Sequence, residues 1–318
     1  MVFWQKSKSK QSDIGRLTTS HDVVSQADSI RRSAFALPQF LRKAWVSEAA
    51  RLHLEPRIQQ ITNAWESAEW RSADSVRPCA LVSILSFDHT NWMKRIESAG
   101  LKSTALRVVD ITPKGASERV FLTDMVLGSR RNVKALRSAW INRDNETIGA
   151  LLGYPPCCRA LYQFAFVSRN FQDYTWLISR VTHQARVVGN DVSLSGLRET
   201  NILLRRIGVH AIPHIPCSFS CQASQQLSLA MTNLASSLGH TKEIEWLHDM
   251  LDWPIMWSAR HGIAEIRTPV LKIATQTDMT FETYTARWLG HSIPTEAARG
   301  LDFPYLVDKA ASSLPLAL

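Results

Sequence analysis

The sequence predicts a mixed α/β or α+β protein that is dominated by helices and contains a small sheet. Most segments repeat apolar residues at helical spacing, whereas short runs rich in strand formers fall between about 76 and 130 and again near the end. Hydrophobic residues make up 45% and charged residues 20% of the 318-residue chain, and both values are ordinary for a globular protein. The length suits one large domain or two ordinary ones.

The N-terminal part is predicted to be a mobile polar tail over 1–20, rich in lysine and serine, followed by a helical arm over 21–75. In the stretch LPQFLRKAWVSEAARLHL the apolar residues fall near one helical face. They are Phe40, Leu41, Trp45 and Ala49. Because Pro56 suits the first turn of a helix, a second helix is predicted to begin there, with its own apolar set. That set is Ile58, Ile61, Ala64 and Trp65.

Residues 76–130 are predicted to form a small α/β unit. Strand-like runs cover 79–87, 104–112 and 119–127, and a helix is predicted between the first two, over 91–101. The order strand, helix, strand suggests that the first two strands pair in parallel. No glycine-rich phosphate loop follows these strands, so a nucleotide-binding fold of that kind has little support.

Residues 131–318 are predicted to be a mainly helical cysteine-cluster domain with a C-terminal β segment. The predicted helices are 132–141, 144–152, 157–168, 171–186, 196–207, 219–238 and 241–251. The β segment, 255–277, holds two strand-like runs that are broken at Thr268-Pro269. The last 40 residues have no clear period.

The chain carries a formal charge of +9, with a pI near 9.5, in scattered basic groups. They are Lys6/Lys8/Lys10, Arg31-Arg32, Arg130-Arg131 with Lys134 and Arg137, and Arg205-Arg206. A solvated basic surface is the favoured interpretation, and a polyanion surface or an anionic small-molecule site is the alternative. Nucleic acid is not favoured as a partner, because no basic run is interleaved with aromatic residues.

No apolar run approaches the ~18 residues that span a bilayer, so no membrane association is expected. The N-terminus, MVFWQKSKSK, has no apolar stretch after its basic residues, so it does not look like a secretory signal. A cytoplasmic location is therefore expected. In that compartment clustered cysteines more often indicate metal or redox chemistry than structural disulfides.

Four of the five cysteines form two groups, each of which directly follows proline. Cys157-Cys158 stand in LGYPPCCRALYQF, and Cys217 and Cys221 stand in IPCSFSCQAS. Proline favours a helix start, so both groups are predicted at helix N-termini, with a helix beginning near Ser218 in the second. Unpaired peptide N–H groups there favour thiolate, the form that binds metals. The fifth, Cys79, opens an apolar strand and is predicted to lie in the core.

The cysteine pattern favours an iron–sulfur cluster, of the 4Fe-4S type, held by Cys157, Cys158, Cys217 and Cys221. Zinc is the alternative cofactor, and it ranks lower because adjacent cysteines strain the backbone around one small ion. A metal-free redox or nucleophilic cysteine set is a third interpretation. A fourth is that the cysteines are buried thiols or form an incidental disulfide. Spacing does not decide whether three or four of them bind the metal.

Two histidines precede the second cysteine group, and His214 is three residues from Cys217. His214 is a candidate ligand or proton donor, whereas an ordinary structural role is favoured for His210 and His214 as a pair. A second candidate site lies within 253–272. There Arg260, Arg267, Trp257 and Lys272 are candidates for substrate binding, and His261 and Glu265 for catalysis. A same-face ion pair between Glu265 and Arg267, and core roles for the tryptophans, are the simpler interpretations.

The elements LGYPPCC and PCSFSC, each followed by a helix-like segment, resemble those of an uncharacterised prokaryotic family known by a domain-of-unknown-function label. The resemblance covers about 145–230 and rests on a Gly-Tyr-Pro-x-Cys-Cys and a Pro-Cys-Ser-x-x-Cys element. It implies that Cys157, Cys158, Cys217 and Cys221 form the family's defining site. It implies no particular reaction.

The resulting functional hypothesis is an iron–sulfur enzyme, an oxidoreductase, sulfurtransferase or lyase, that acts on a small anionic substrate. An electron-donor protein is a further partner that this chemistry suggests. The first alternative is an RNA- or polyanion-binding protein that is held together by zinc or a cluster. The second is a metal-free thiol enzyme.

Overall fold

The computed structural model describes residues 40–112, 117–169, 173–277, 283–297 and 306–307. The predicted mobile tail and the predicted helical arm up to residue 39 lie outside these ranges. Helices and strands combine within them in a mixed arrangement, which confirms the predicted fold class. The described residues divide into two compact units, 40–65 with 160–307 and 66–159. None of the described helices is both long and apolar enough to cross a bilayer.

The elements are numbered in chain order. The helices are α1 (Glu48–Arg71), α2 (His89–Ser98), α3 (Arg130–Asn142), α4 (Asn145–Leu151), α5 (Pro156–Tyr162), α6 (Thr175–Arg180), α7 (Gln222–Ser237) and α8 (Thr241–Leu251). The strands are β1 (Leu41–Trp45), β2 (Cys79–Leu85), β3 (Lys102–Asp110), β4 (Phe121–Gly128), β5 (Arg186–Val188), β6 (Asp191–Leu194), β7 (Ile255–Arg260), β8 (Ile263–Arg267), β9 (Leu271–Gln276), β10 (Tyr284–Trp288) and β11 (Leu306–Val307).

The first unit contains an eight-stranded sheet in the order β11-β1-β9-β8-β7-β10-β6-β5. Only the β10–β6 pair among these is parallel. Cross-strand partners Ala286, Trp257, Ile266 and Ile273 form a fully buried row across four strands. Because cross-strand partners share a face, this row marks the core side of the sheet.

The second unit contains a three-stranded sheet in the order β2-β4-β3, and both of its pairings are antiparallel. The predicted strands and helix are confirmed, but the predicted parallel pair is wrong. The third strand, β4, inserts between the first two, so β2 and β3 never meet. Helix α2 buries Trp92 and Ile96 against this sheet in one core cluster with Val82, Met125 and Leu127.

The start of the predicted helical arm is wrong at two points. Residues 41–45 form strand β1, which pairs with β9 along its whole length, so a long-range partner overrides the local helical spacing. Pro56 does not begin a helix but lies inside α1, where it is exposed and removes one N–H donor from the helix. The later apolar set is confirmed. Ile58, Ile61, Ala64 and Trp65 are all buried.

Four predicted helices, 132–141, 144–152, 219–238 and 241–251, correspond to α3, α4, α7 and α8. The helix predicted over 171–186 reduces to α6 within the described residues, and the hairpin β5–β6 was missed.

The helix predicted over 196–207 is wrong. Two single 3₁₀ turns, Arg198–Thr200 and Arg205–Ile207, take its place. The amide of Asn201 donates to the Leu251 carbonyl, and its side-chain oxygen accepts from the Leu203 N–H. The second of these bonds satisfies the Leu203 N–H without a helix and so competes with helix formation.

The C-terminal β segment forms three strands rather than two. The predicted break at Thr268-Pro269 separates β8 from β9. A further turn, at His261-Gly262, separates β7 from β8, and both of its residues have positive φ, 50° and 80°. That backbone is the one which a two-residue hairpin turn requires.

Candidate metal centre

The structure brings together the four cysteines that the sequence singles out. The Sγ atoms of Cys157, Cys158, Cys217 and Cys221 all lie within 4.8 Å of one another. The Sγ atoms of Cys157 and Cys158 are 3.9 Å apart, about twice a disulfide bond length. This set of soft ligands can hold a metal ion. Cys79 lies apart in β2, fully buried as predicted, and burial raises the pKa of its thiol to about 12.

The first pair of cysteines stands in the opening turn of α5, as predicted. The Cys158 N–H donates to the Pro155 carbonyl at 3.0 Å, which begins the helix. Cys158 is buried and Cys157 is exposed. The guanidinium of Arg159 donates to the Tyr154 carbonyl at 2.6 Å and to Glu146 at 2.8 Å. These bonds fix the chain just before the two thiols.

The loop before α5 depends on Gly153, which has a φ of 74°. A Cβ at this position would lie 2.7 Å from the Cβ of Arg77. Arg77 is buried, and its guanidinium donates to the Ser72 hydroxyl and to the Glu69 carbonyl. Glycine is therefore required both by the backbone conformation and by the close approach of a fixed neighbour.

The second pair of cysteines is arranged differently from the prediction. Helix α7 begins at Gln222, so Cys221 is its N-cap residue and Cys217 precedes the helix. The residues between them form a turn in which the Cys221 N–H donates to the Ser218 carbonyl at 3.3 Å. A turn rather than a helical first turn therefore brings the two thiols to one place.

Phe219, at the centre of this turn, anchors it. Its side chain is fully buried, and its N–H donates to the Thr182 hydroxyl at 3.0 Å. Its carbonyl accepts from the Leu197 N–H at 2.8 Å and from the Thr200 hydroxyl at 2.7 Å. A Cβ at Gly196 would lie 2.3 Å from that carbonyl oxygen. Sequence reasoning missed this support, because its partners are distant in the chain.

The two histidines before Cys217 are buried and hydrogen-bonded. His210 Nδ1 donates to the Ile212 carbonyl at 2.9 Å, and its ring contacts Trp65 edge-on. Burial lowers the pKa of His210 to about 4. His214 Nε2 shares a hydrogen bond of 2.8 Å with the buried hydroxyl of Ser224. Neither histidine belongs to the group of potential metal ligands found among the described residues.

The second candidate site is only partly assembled. Glu265 and Arg267 form an ion pair on β8, and Lys272, on β9, is the cross-strand partner of Arg267. Lys272 is buried, whereas Arg260 and His261 are exposed at the β7–β8 turn.

Trp257 is fully buried in the row of core residues, and the alternation along β7 and β8 turns its side chain away from the face of Glu265 and Arg267. The structure thus brings together Glu265, Arg267 and Lys272, but it does not place Trp257 with them.

A buried polar network that the sequence did not reveal surrounds Arg205. Its guanidinium pairs with Asp173 at 3.4 Å and donates to the Thr175 hydroxyl at 2.9 Å. The other carboxylate oxygen of Asp173 accepts from the hydroxyls of Thr277 and Tyr284, at 2.7 and 2.9 Å. Burial opposes the charge of Asp173, but the charge of Arg205 and hydrogen bonds from Thr175 and Thr277 outweigh this effect and lower the pKa of the Asp173 carboxyl. Arg205 is thus a core residue and not part of a basic surface.

Comparisons with protein-family models, with curated proteins and with solved structures find no match for this chain. The functional assignment therefore depends on the geometry of the four cysteines.

Proposed function

We propose that this chain is a metalloprotein whose four clustered cysteines hold one zinc ion. The observation that carries the proposal is the separation of the sulfur atoms. A zinc ion with four thiolates at about 2.3 Å has sulfur–sulfur distances of about 3.8 Å. The Sγ atoms of Cys157 and Cys158, 3.9 Å apart, match this sulfur–sulfur distance, and all four Sγ atoms lie within 4.8 Å of one another.

A cubane cluster would need a wider arrangement. Each thiolate binds a different iron at a corner of the cube, so the ligand sulfurs of such a cluster stand roughly 6 Å apart. The sulfur atoms of this cluster would have to move apart to accept it. The geometry therefore supports zinc above the iron–sulfur cofactor that the sequence favours.

The role that fits this site is structural. Four thiolates complete the tetrahedral coordination of zinc and leave no position for substrate. The ion would hold the start of α5 next to the turn that precedes α7, and in doing so would fix two segments separated by 58 residues, between Cys158 and Cys217.

Metal analysis tests the proposal directly. The protein, purified under anaerobic conditions without added metal, should be colourless and contain about one zinc per chain. A Cys217→Ser variant should lose most of this zinc because it removes a ligand. Cys79→Ala is the matched control, since Cys79 is a buried cysteine outside the cluster, and it should retain the zinc. Metal-free wild-type protein, or full zinc retention in the Cys217 variant, would contradict the proposal.

The iron–sulfur enzyme is the second candidate, and the exposure of Cys157 favours it. An exposed ligand leaves one side of the site open to solvent, as a cluster that acts on a substrate requires. Brown protein with several irons per chain in the same measurement would establish this candidate in place of zinc. The substrate-binding role of Arg260, Arg267 and Lys272, and the family resemblance, remain predictions under either candidate.

A further inference from the structure

We infer that the exposed face of helix α3 is a binding surface for the phosphate backbone of double-stranded DNA. The sequence of α3, RRNVKALRSAWIN, has four basic residues and no acidic residue. Val133, Leu136 and Ala139 are buried, whereas the basic residues are all exposed. They are Arg130, Arg131, Lys134 and Arg137. One face of the helix thus carries the whole positive charge.

These four cations have no acidic partner among the described residues. Two arginines elsewhere in the same unit do have one, since Arg107 pairs with Asp124 and Arg159 with Glu146. No ion pair, side-chain hydrogen bond or ring contact within the described ranges involves the basic side chains of α3. The exposed Lys102 begins the adjoining strand β3 opposite Gly128, two residues before α3, and adds a fifth charge. The face is therefore available to an external polyanion.

The position of the charges along α3 is a second, independent observation. Arg130 and Arg131 occupy the first turn, where the helix macrodipole is positive and cations are unfavourable. Helix stability alone would place acidic residues there, with basic residues in the last turn, which has none. An anionic ligand at this end would convert the unfavourable repulsion into attraction. The charge order of α3 is thus explained by a ligand and not by the helix itself.

The shape and composition of the face favour duplex DNA among polyanions. Single-stranded nucleic acid is usually held by aromatic side chains on which bases stack, and the exposed residues of α3 include no aromatic one. An α-helix with its side chains is about 10–12 Å across, which suits the B-DNA major groove of about 12 Å. The deep, narrow major groove of duplex RNA does not admit it.

Fluorescence anisotropy with a labelled mixed-sequence DNA duplex of about 20 base pairs, titrated at several salt concentrations, tests the inference. The full-length wild-type protein should bind, and its affinity should fall steeply with salt. The triple variant Arg130→Gln/Lys134→Gln/Arg137→Gln should bind at least about tenfold more weakly, with a salt slope smaller by about 3.

Lys94→Gln/Arg186→Gln/Lys242→Gln removes three exposed charges elsewhere and should bind like the wild type. Arg130→Lys/Arg137→Lys keeps the charge of the face and should keep the salt slope, even if the triple variant is poorly folded. Equal losses in the two triple variants, or no binding by the wild type, would overturn the inference. So would tighter wild-type binding to duplex RNA, single-stranded DNA, polyglutamate or anionic lipid vesicles.

Discussion

His210 is buried where its neutral form is required. Its Nδ1 donates to the Ile212 carbonyl, and its ring contacts Trp65 edge-on. Burial is the main cause of its low pKa, and the positive charge of Arg205 adds to it. The ring lies in the segment that leads to Cys217, so its protonation would disturb the backbone that positions this cysteine of the candidate metal centre.

Folding stability should therefore depend on pH through His210. The unfolded histidine has a pKa of about 6.5 and the folded one about 4, so between these values the unfolded state binds more protons. The stability that His210 contributes is present above pH 6.5 and is lost as the pH falls toward 4. From pH 7 to pH 5 the expected loss is about 2 kcal/mol in the free energy of unfolding.

Urea unfolding at the two pH values checks this. His210→Gln should be less stable at pH 7 but should show a smaller loss on acidification than the wild type. His89→Gln, at an exposed position, should show the wild-type loss. Release of metal by acid affects all three proteins alike, so identical pH dependence in the wild type and the His210 variant would rule out this role.

At the residue scale, the sequence predicts the structural role of the cysteines better than that of the arginines. The cysteine groups are recognised because proline and paired thiols are local signals, and the structure brings all four sulfurs together. Arg205 has the same local pattern as a surface arginine, and only its distant partners Asp173 and Thr175 make it a core residue. Contacts between residues far apart in the chain cannot be recognised from a short window of sequence.

At the scale of elements, the loop 152–155 positions the first cysteine pair. Gly153 has a left-handed backbone and lies against the buried Arg77, whose side chain cannot withdraw because it is hydrogen-bonded to Ser72 and Glu69. Gly100, at the end of α2, has nearly the same φ, 70°, but no atom lies within 4 Å of the place that a Cβ would take there. Substitution at these two glycines therefore distinguishes the cost of a left-handed backbone, which both positions share, from the cost of a steric clash, which only Gly153 has.

Alanine substitution at both positions uses this contrast. Gly100→Ala should cost about 1 kcal/mol in the free energy of unfolding, because only the left-handed backbone is penalised. Gly153→Ala should cost roughly 3 kcal/mol, because the clash with Arg77 adds to the same strain. It should also weaken zinc binding by displacing the start of α5, which Gly100→Ala should not. Equal losses of stability in both variants would show that Arg77 moves freely.

The elements that the sequence predicts well are those whose packing follows their own period. Helices α3 and α8 have a clear apolar stripe, and their predicted bounds hold. The predictions are wrong where tertiary contacts decide the structure, as in β1, which joins the large sheet beside β9. The predicted strand order is wrong for the same reason. The pattern of β2, α2 and β3 is equally compatible with a parallel pair and with the observed insertion of β4.

At the scale of the whole molecule, the candidate metal centre brings together cysteines that are distant in sequence. A bound ion closes the chain between Cys158 and Cys217, a loop of 58 residues. Closing a loop of this length lowers the entropy of the unfolded chain and so stabilises the folded state. Metal ligation adds to this the binding free energy of four thiolates, provided that the unfolded chain holds the ion less tightly.

Removal of the metal should therefore destabilise the entire fold and not only the turn that contains Cys217. Addition of excess EDTA under reducing conditions should lower the thermal midpoint of the wild type by at least about 5 °C. Cys221→Ser should have a low midpoint from the start, and EDTA should change it little, because the site is already broken. Cys79→Ala controls for loss of a buried thiol and should keep the full response to EDTA. An unchanged midpoint in wild-type protein that has measurably lost its zinc would show that the four cysteines do not support the fold through a metal.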